Sequence, residues 1–229
     1  MNVVILLGAP GAGKGTQAPL LAERLGIPVV ATGDLFRAAV REGTPLGLEA
    51  RRYMDAGRLV PDETVVGLLL ERLGRPDAAA GVILDGFPRT AVQAKALDDA
   101  LRARGAEVSA AVLVDVPADE VIRRMSGRWV CRAAGHPYHE VSSPPAVPGV
   151  CDLDGSELYQ RADDQPETIR ARMAQQLGAL DEVIAHYRSA GVLHAVDGLR
   201  GIAEVAQQID AALTSAGVAP AVNVEQAAR

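Results

Sequence analysis

The sequence predicts an α/β protein with a five-stranded parallel sheet wrapped by helices, and three observations carry that prediction. Apolar, β-branched runs recur along the chain, separated by segments of helical periodicity, the alternation that builds parallel sheets. The first run, Asn2-Val-Val-Ile-Leu-Leu7, is apolar without a break, as a strand buried on both faces requires. A chain of 229 residues with 48% hydrophobic content is also long and apolar enough to bury one substantial core.

The strands read in order are Asn2–Leu7, 28–31, Gly81–Asp85, 110–116 and 192–196. Helical patterns fall at Lys14–Leu25, 46–56, Asp62–Leu73, 91–104, 120–125, 167–190 and 202–213. The last long helix has a clear start at Asp164-Gln-Pro-Glu167, with a capping residue, a proline just inside and an acid three positions on. Two stretches interrupt the alternation. Residues 32–60 insert extra helical material between the second and third strands. Residues 131–160 are rich in Gly, Pro and Ser, and irregular insertions of that length are commonly lids or binding loops. The expected organisation is a core of 1–31, 61–127 and 165–214, inserts at 32–60 and 128–164, and a flexible, small-residue tail at 215–229.

Composition excludes several classes. A net charge of −6 argues against a general nucleic-acid binder, which carries a basic excess. Two cysteines cannot build a disulfide framework, so a reducing, cytoplasmic setting is expected. The opening apolar run is too short to span a bilayer or act as a signal sequence. Aromatics make up only 3%, so Ala, Val, Leu and Ile must fill the core. The basic residues are uneven: Lys14 and Lys95 are the lysines, and the other 21 of 23 are arginine.

Gly8-Ala-Pro-Gly-Ala-Gly-Lys-Gly-Thr16 lies between the strongest strand and an amphipathic helix. That is the context a phosphate-binding loop needs. Glycines bare successive backbone N–H groups, the helix N-terminus adds partial positive charge, and Lys14 can reach terminal phosphates. Gly11, Ala12, Gly13, Lys14, Gly15 and Thr16 are therefore the candidate phosphate binders. The common pattern places Ser or Thr directly after the lysine to hold Mg²⁺; here Gly15 stands there and Thr16 follows, so the metal must rely on other groups.

Gly-x-Pro-Gly-x-Gly-Lys-Gly-Thr resembles the loop of nucleoside monophosphate kinases. Further motifs narrow the likeness: Thr32-Gly-Asp-Leu-Phe-Arg37, Gly57-Arg-Leu-Val60, Asp85-Gly-Phe-Pro-Arg-Thr90 with Gln93, and Tyr159-Gln-Arg-Ala-Asp-Asp164. Together, over residues 2–213, the chain is similar to adenylate kinases of the bacterial long-lid type. The resemblance implies a phosphate-loop kinase fold with a monophosphate-binding insert at 32–60 and a lid at 128–164. It implies transfer between MgATP and AMP giving two ADP, in a cytoplasmic monomer that binds small nucleotides and neither nucleic acid nor membrane.

The same resemblance assigns residues. Arg37 and Arg89 hold the monophosphate, while Arg124, Arg128, Arg161 and Arg172 surround the transferring group, with Arg161 and Arg172 also reaching AMP. Guanidinium suits this work because it is always charged and grips phosphate bidentately. Asp85 ends an apolar strand at the sheet's carboxyl edge and is the candidate anchor for water-shelled Mg²⁺, with Asp34 assisting. Thr32, Gly33, Arg58, Leu59, Val60, Gly86, Phe87, Pro88 and Gln93 surround AMP. Tyr138 and Arg200 face ATP. No His or Glu stands out as a general base, and none is needed, since the attacking phosphate oxygen is already anionic.

Some bacterial adenylate kinases staple the lid with zinc through two Cys pairs, or a Cys pair and Cys-x-x-Asp. The corresponding residues here are Cys131, Ala134, Cys151 and Asp154, an incomplete set of three ligands where structural zinc takes four. His136 lies two residues beyond the lost ligand and is the one available substitute. The expectation is no structural zinc. Trp129 replaces an arginine usual in the family and is expected to pack under the lid. Rival readings are a kinase for another monophosphate and a non-catalytic nucleotide switch. A GTP switch carries Asn-Lys-x-Asp, and neither lysine lies in one.

Overall fold

In a computed structural model, the described residues are 1–219 other than 57, 162, 163 and 165, and the side chains of Pro166, Arg172 and Gln175 are outside the description. Strand β1 (Asn2–Leu7) occupies the middle of a five-stranded parallel sheet. It pairs with β3 (Gly81–Asp85) on one side and β4 (Ala110–Asp115) on the other, with Val4 opposite both Ile83 and Ala110. β2 (Val29–Ala31) and β8 (Leu193–Asp197) form the edges, giving the order β2-β3-β1-β4-β8. The chain winds outward in one direction after β1 and in the other after β4, so the crevice at the carboxyl end of β1 is the switch point where such sheets bind ligands.

Strand alternation divides the core. Val4 and Leu6 point to one face, packed with α1 (Lys14–Leu25), α6 (Ala118–Ser126) and α8 (Ile202–Ser215). Val3, Ile5 and Leu7 point to the other, against α4 (Asp62–Leu73), α5 (Ala91–Arg102) and the later turns of α7 (Pro166–Ser189). Residues Val3 to Leu7 are each at most 2% exposed. The unbroken apolar run thus reflects burial on both faces.

Differences from the sequence reading lie at element ends and inside the inserts. β4 stops at Asp115 because Pro117 follows, and that proline opens α6 two residues earlier than its periodicity marks. The first insert carries two helices, α2 (Thr32–Arg41) and α3 (Pro45–Asp55), of which the periodicity marked only the second. Thr44 caps α3 by accepting the Gly47 N–H at 3.1 Å. The irregular second insert contains an antiparallel sheet of β5 (Arg128–Cys131), β6 (Pro137–His139) and β7 (Leu158–Tyr159), in the order β6-β5-β7. Strands of two to four residues are too short to show period-2 patterning.

The tail expected to be flexible from 215 is packed as far as Ala219. Gly217, at φ 71°, turns the chain beyond α8, and the Val218 N–H donates to the Leu213 carbonyl at 2.9 Å, closing the helix in a Schellman arrangement. Val218 then enters the core, 7% exposed, and the Asn2 side chain donates to Ala219 O at 2.9 Å. Residues 220–229 of that expectation lie outside the described residues.

Gly217→Ala forces an L side chain into the left-handed region and is expected to destabilise the protein by about 1–2 kcal/mol in chemical denaturation. Gly217→Asn should cost clearly less, and equal losses would place the constraint elsewhere.

Candidate active site

The loop after β1 holds the strongest sequence signal. Gly11 and Gly13 take positive φ (81° and 104°), and a Cβ on Gly11 would lie 2.5 Å from the Met125 side chain. Gly13 precedes α1 with no side chain capping it, so the first N–H groups of that helix face the crevice. Lys14 curls over the loop and donates to the Gly8 and Ala9 carbonyls at 2.8 and 2.9 Å. Asp85, at the end of the adjacent β3, brings its carboxylate to 3.7 Å from where a Cβ on Gly15 would sit. That is ordinary van der Waals contact, so the carboxylate stands beside the loop without forcing a glycine at 15. Among the described residues the Asp85 carboxylate has neither hydrogen bond nor ion pair, so both of its oxygens remain to accept.

Guanidinium groups reach the crevice from several elements, and each named here is held by an acid or a carbonyl. Arg124, on α6, donates to Glu120 at 2.7 Å, to Ala12 O at 3.4 Å and to Gly198 O at 2.9 Å. Arg128, at the start of β5, engages both oxygens of the fully buried Asp164 carboxylate, one of them at 2.8 Å. Arg89 donates to Gly86 O at 2.7 Å, and that carbonyl also receives the Thr32 hydroxyl at 2.8 Å. Arg37 pairs with Asp34 at 3.2 Å, and Arg161 comes within 4.0 Å of the same carboxylate. Asp34 thus has one oxygen engaged by arginine, while Asp85 keeps both. Arg200 pairs with Asp197 at 2.8 Å at the crevice mouth. The ion pairs with Arg123 and Arg124 hold the Glu120 carboxyl down at about 2, well below its ordinary 4.5.

These groups line one cleft of about 710 Å³, together with Gly11 to Thr16, Gly33, Gly86, Pro88 and Tyr138. A smaller pocket of about 60 Å³ adjoins it, walled by Thr32, Arg58, Leu59, Val60 and Gln93. Gly33, Arg37, Gly86 and Arg89 line both. One expectation needs correction. The Phe87 ring is 1% exposed inside the core beside β1, supporting the turn from below rather than facing the pocket. Tyr138 borders the cleft, but its hydroxyl accepts the Asp152 N–H at 2.7 Å and meets Cys151 Sγ at 3.4 Å inside the lid. Arg172 sits on α7, but its side chain lies outside the description. Gln176, four residues on and 8% exposed, lines both pockets and escaped the sequence reading. Its i+4 spacing from a motif arginine was the available signal.

The lid has its own small core of Cys131, Tyr138, Cys151 and Leu158, with Trp129 packed against it as expected. Beside it, His136 Nδ1 stands 3.3 Å from each of Cys131 Sγ, Cys151 Sγ and Asp154 Oδ2. Cys131 Sγ is also 3.3 Å from Asp154 Oδ2, and all four donor atoms lie within 4.8 Å of one another. A tetrahedral zinc with bonds of about 2.0–2.3 Å separates its ligand atoms by about 3.3–3.8 Å, so the four 3.3 Å separations are of the size such a site needs and the donor set has its chemistry. The backbone N–H groups of Ala134 and His136 both donate to Cys131 Sγ, each at 3.3 Å.

Sheet order, glycine loop and cleft together define a phosphate-loop, nucleotide-binding protein of the α/β class. Residues 6–192 match the family model described as adenylate kinase. The chain is 47% identical over 215 residues to an adenylate kinase of Lysinibacillus sphaericus, covering 94% of this chain and 99% of the relative. It is 51% identical over 213 residues to one of Syntrophotalea carbinolica (92% and 97% covered) and 48% identical over 203 residues to one of Streptomyces griseus (88% and 93% covered). The chain belongs to the adenylate kinase family, enzymes that transfer phosphoryl groups to nucleoside monophosphates. No helix among the described residues is long and apolar enough to cross a membrane.

The depressed Glu120 carboxyl carries a pH prediction. Its stabilisation is fully present above the ordinary value of 4.5 and is lost as pH falls toward about 2. Glu120→Gln should therefore flatten part of the acid limb of the stability–pH curve between those values. An unchanged limb in urea titrations would refute this.

Proposed function

We propose that the chain catalyses reversible transfer of the γ-phosphoryl group of ATP to AMP, giving two ADP. The observation that carries this reading is a single cleft in which the Lys14 loop and Asp85 face guanidinium groups from α2, α6, β5 and three loops, with the smaller pocket sharing its wall. In this reading an oxygen of the AMP phosphate attacks the γ-phosphorus in line, the bond to the β–γ bridging oxygen breaks, and ADP leaves. The nucleophile is already ionised near neutral pH, so the protein's work is alignment and charge compensation.

The loop N–H groups of Gly11 to Thr16 and Lys14 hold the ATP phosphates. Arg37 and Arg89 hold the AMP phosphate, and Arg124, Arg128 and Arg161 reach the transferring group. Arg172 joins them by its motif position. Thr32, the 58–60 backbone and Gln93 take the base of AMP, while Tyr138 and Arg200 border the ATP side. Asp85 is the residue to hold the water shell of Mg²⁺, which supplies further charge neutralisation when bound with ATP. Asp34 serves the arginines first. Water competes as an acceptor, so residues 32–60 and 128–164 close over the two nucleotides before transfer. The enzyme acts in this reading as a cytoplasmic monomer on small nucleotides.

The lid residues also support one structural zinc, held by Cys131, His136, Cys151 and Asp154. This replaces the expectation of none, which rested on the loss of a ligand at Ala134. His136 restores the fourth ligand from two residues further on, because the turn at Gly135 (φ 76°) brings its ring back over Cys131.

Two measurements test these statements. ADP formation from ATP with each monophosphate should favour AMP, and Lys14→Met and Arg89→Ala should each lower kcat by about 10²–10³ while leaving the circular dichroism unchanged. Near-normal turnover would overturn the site assignment. Protein purified without chelator should carry one zinc per chain, lost in Cys151→Ser and strongly reduced in His136→Ala; metal-free wild type would refute the lid site.

A further inference from the structure

We infer that Asp62 is a positioning residue that sets which purine the monophosphate pocket accepts, by locking the orientation of the Gln93 carboxamide. The inference rests on the proposal that this pocket takes the base of AMP. Gln93 is 1% exposed, in the first turn of α5, and its amide is held at both ends. Its Oε1 accepts the Arg89 backbone N–H at 2.7 Å, and its Nε2 donates to Asp62 Oδ1 at 2.7 Å. The other Asp62 oxygen accepts the Thr90 hydroxyl at 3.1 Å, and the Thr90 hydroxyl oxygen accepts the Gln93 N–H at 3.2 Å as it caps α5.

An ionised carboxylate can only accept, and a backbone N–H can only donate. The amide nitrogen must therefore face Asp62 and the amide oxygen must face Arg89. Flipping the amide would set oxygen against carboxylate and nitrogen against N–H, two losses at once in a buried setting. Two determinants on different elements thus specify one orientation. Asp62 is the first residue of α4, at the point where the first insert rejoins the core, so the lock also ties that insert to α5.

The consequence concerns base edges. A primary amide has two N–H groups and two acceptor positions, and the lock uses one of each. One N–H and one lone pair remain, in a fixed order. Adenine presents an amino donor at C6 beside an acceptor at N1, whereas hypoxanthine and guanine present an acceptor at C6 beside a donor at N1. A freely rotating glutamine could serve either edge by flipping, but a locked one serves a single order. Asp62 touches no ligand in this account; it acts through Gln93.

The test compares AMP with IMP, which differ only at that edge. Wild-type protein should turn over AMP with a kcat/KM at least about a hundredfold above that for IMP. Asp62→Asn supplies an amide that can donate or accept, so it should reduce this ratio by about tenfold or more, chiefly through KM, with kcat at saturating AMP changed little. Asp62→Ala removes the acceptor altogether and carries the same prediction if the Asn variant fails to fold. Asp62→Glu, which keeps an ionised acceptor, should restore part of the ratio. A wild type that uses IMP as well as AMP would refute the adenine reading of the pocket. A discriminating wild type whose folded Asp62 variants keep the full ratio would refute the lock alone, whatever their thermal stability.

Discussion

Burial of β1 on both faces is the constraint from which the rest of the molecule is placed. Val3 to Leu7 have no exposed side to spare, so the strand can sit only in the middle of a sheet with helices above and below. Its register against β3 and β4 then fixes where the chain emerges, at the crevice between strands that run to opposite edges. The phosphate loop is rigid there because Gly11 packs tightly on Met125 while the loop's own lysine closes over its carbonyls. A strand that could slip or tilt would move the loop relative to Asp85, whose carboxylate stands beside Gly15.

Electrostatics at the cleft work locally and against the overall charge. The protein carries −6 in total, yet arginines converge on one crevice because acids hold them there: Glu120 takes Arg124, Asp164 takes Arg128, and Asp34 takes Arg37. Exposed pairs of this kind add little to stability. Their value is preorganisation, since a planar guanidinium already held in one plane loses less freedom when a phosphate arrives. The Arg128 pair differs in degree, because the Asp164 carboxylate is fully buried at the junction of lid and core. By contrast Arg51 and Arg102 pair with neighbouring acids on open helix surfaces, as ordinary solvated residues do.

The lid follows another logic. Its strands are too short to support a sheet by burial alone, and its apolar core is small. In the proposed reading, a zinc on the two thiols, the imidazole and the carboxylate would hold a fold that hydrophobic area alone cannot. Trp129 adds apolar surface beneath it, where a charged side chain would weaken the packing.

Much of this was legible in the residues. Periodicity located β1, α1, β3 and α4 to the residue, because each is long, strongly patterned and bounded by Gly or Pro. The glycine loop, Asp85 and the motif arginines were readable because phosphate chemistry tolerates few substitutes. What the residues alone left open are relations between segments far apart in the chain. The short lid strands exist only as partners of one another. Phe87 belongs to a motif, yet its ring packs into the core cluster beside β1. His136 reaches the two cysteines by the turn that folds it back, and Asp62 bears on Gln93 across 31 positions. Local sequence determines which chemistry is available, through side-chain type and backbone propensity. Only the packed fold decides which groups come within hydrogen-bonding reach, because that distance is set by the whole core.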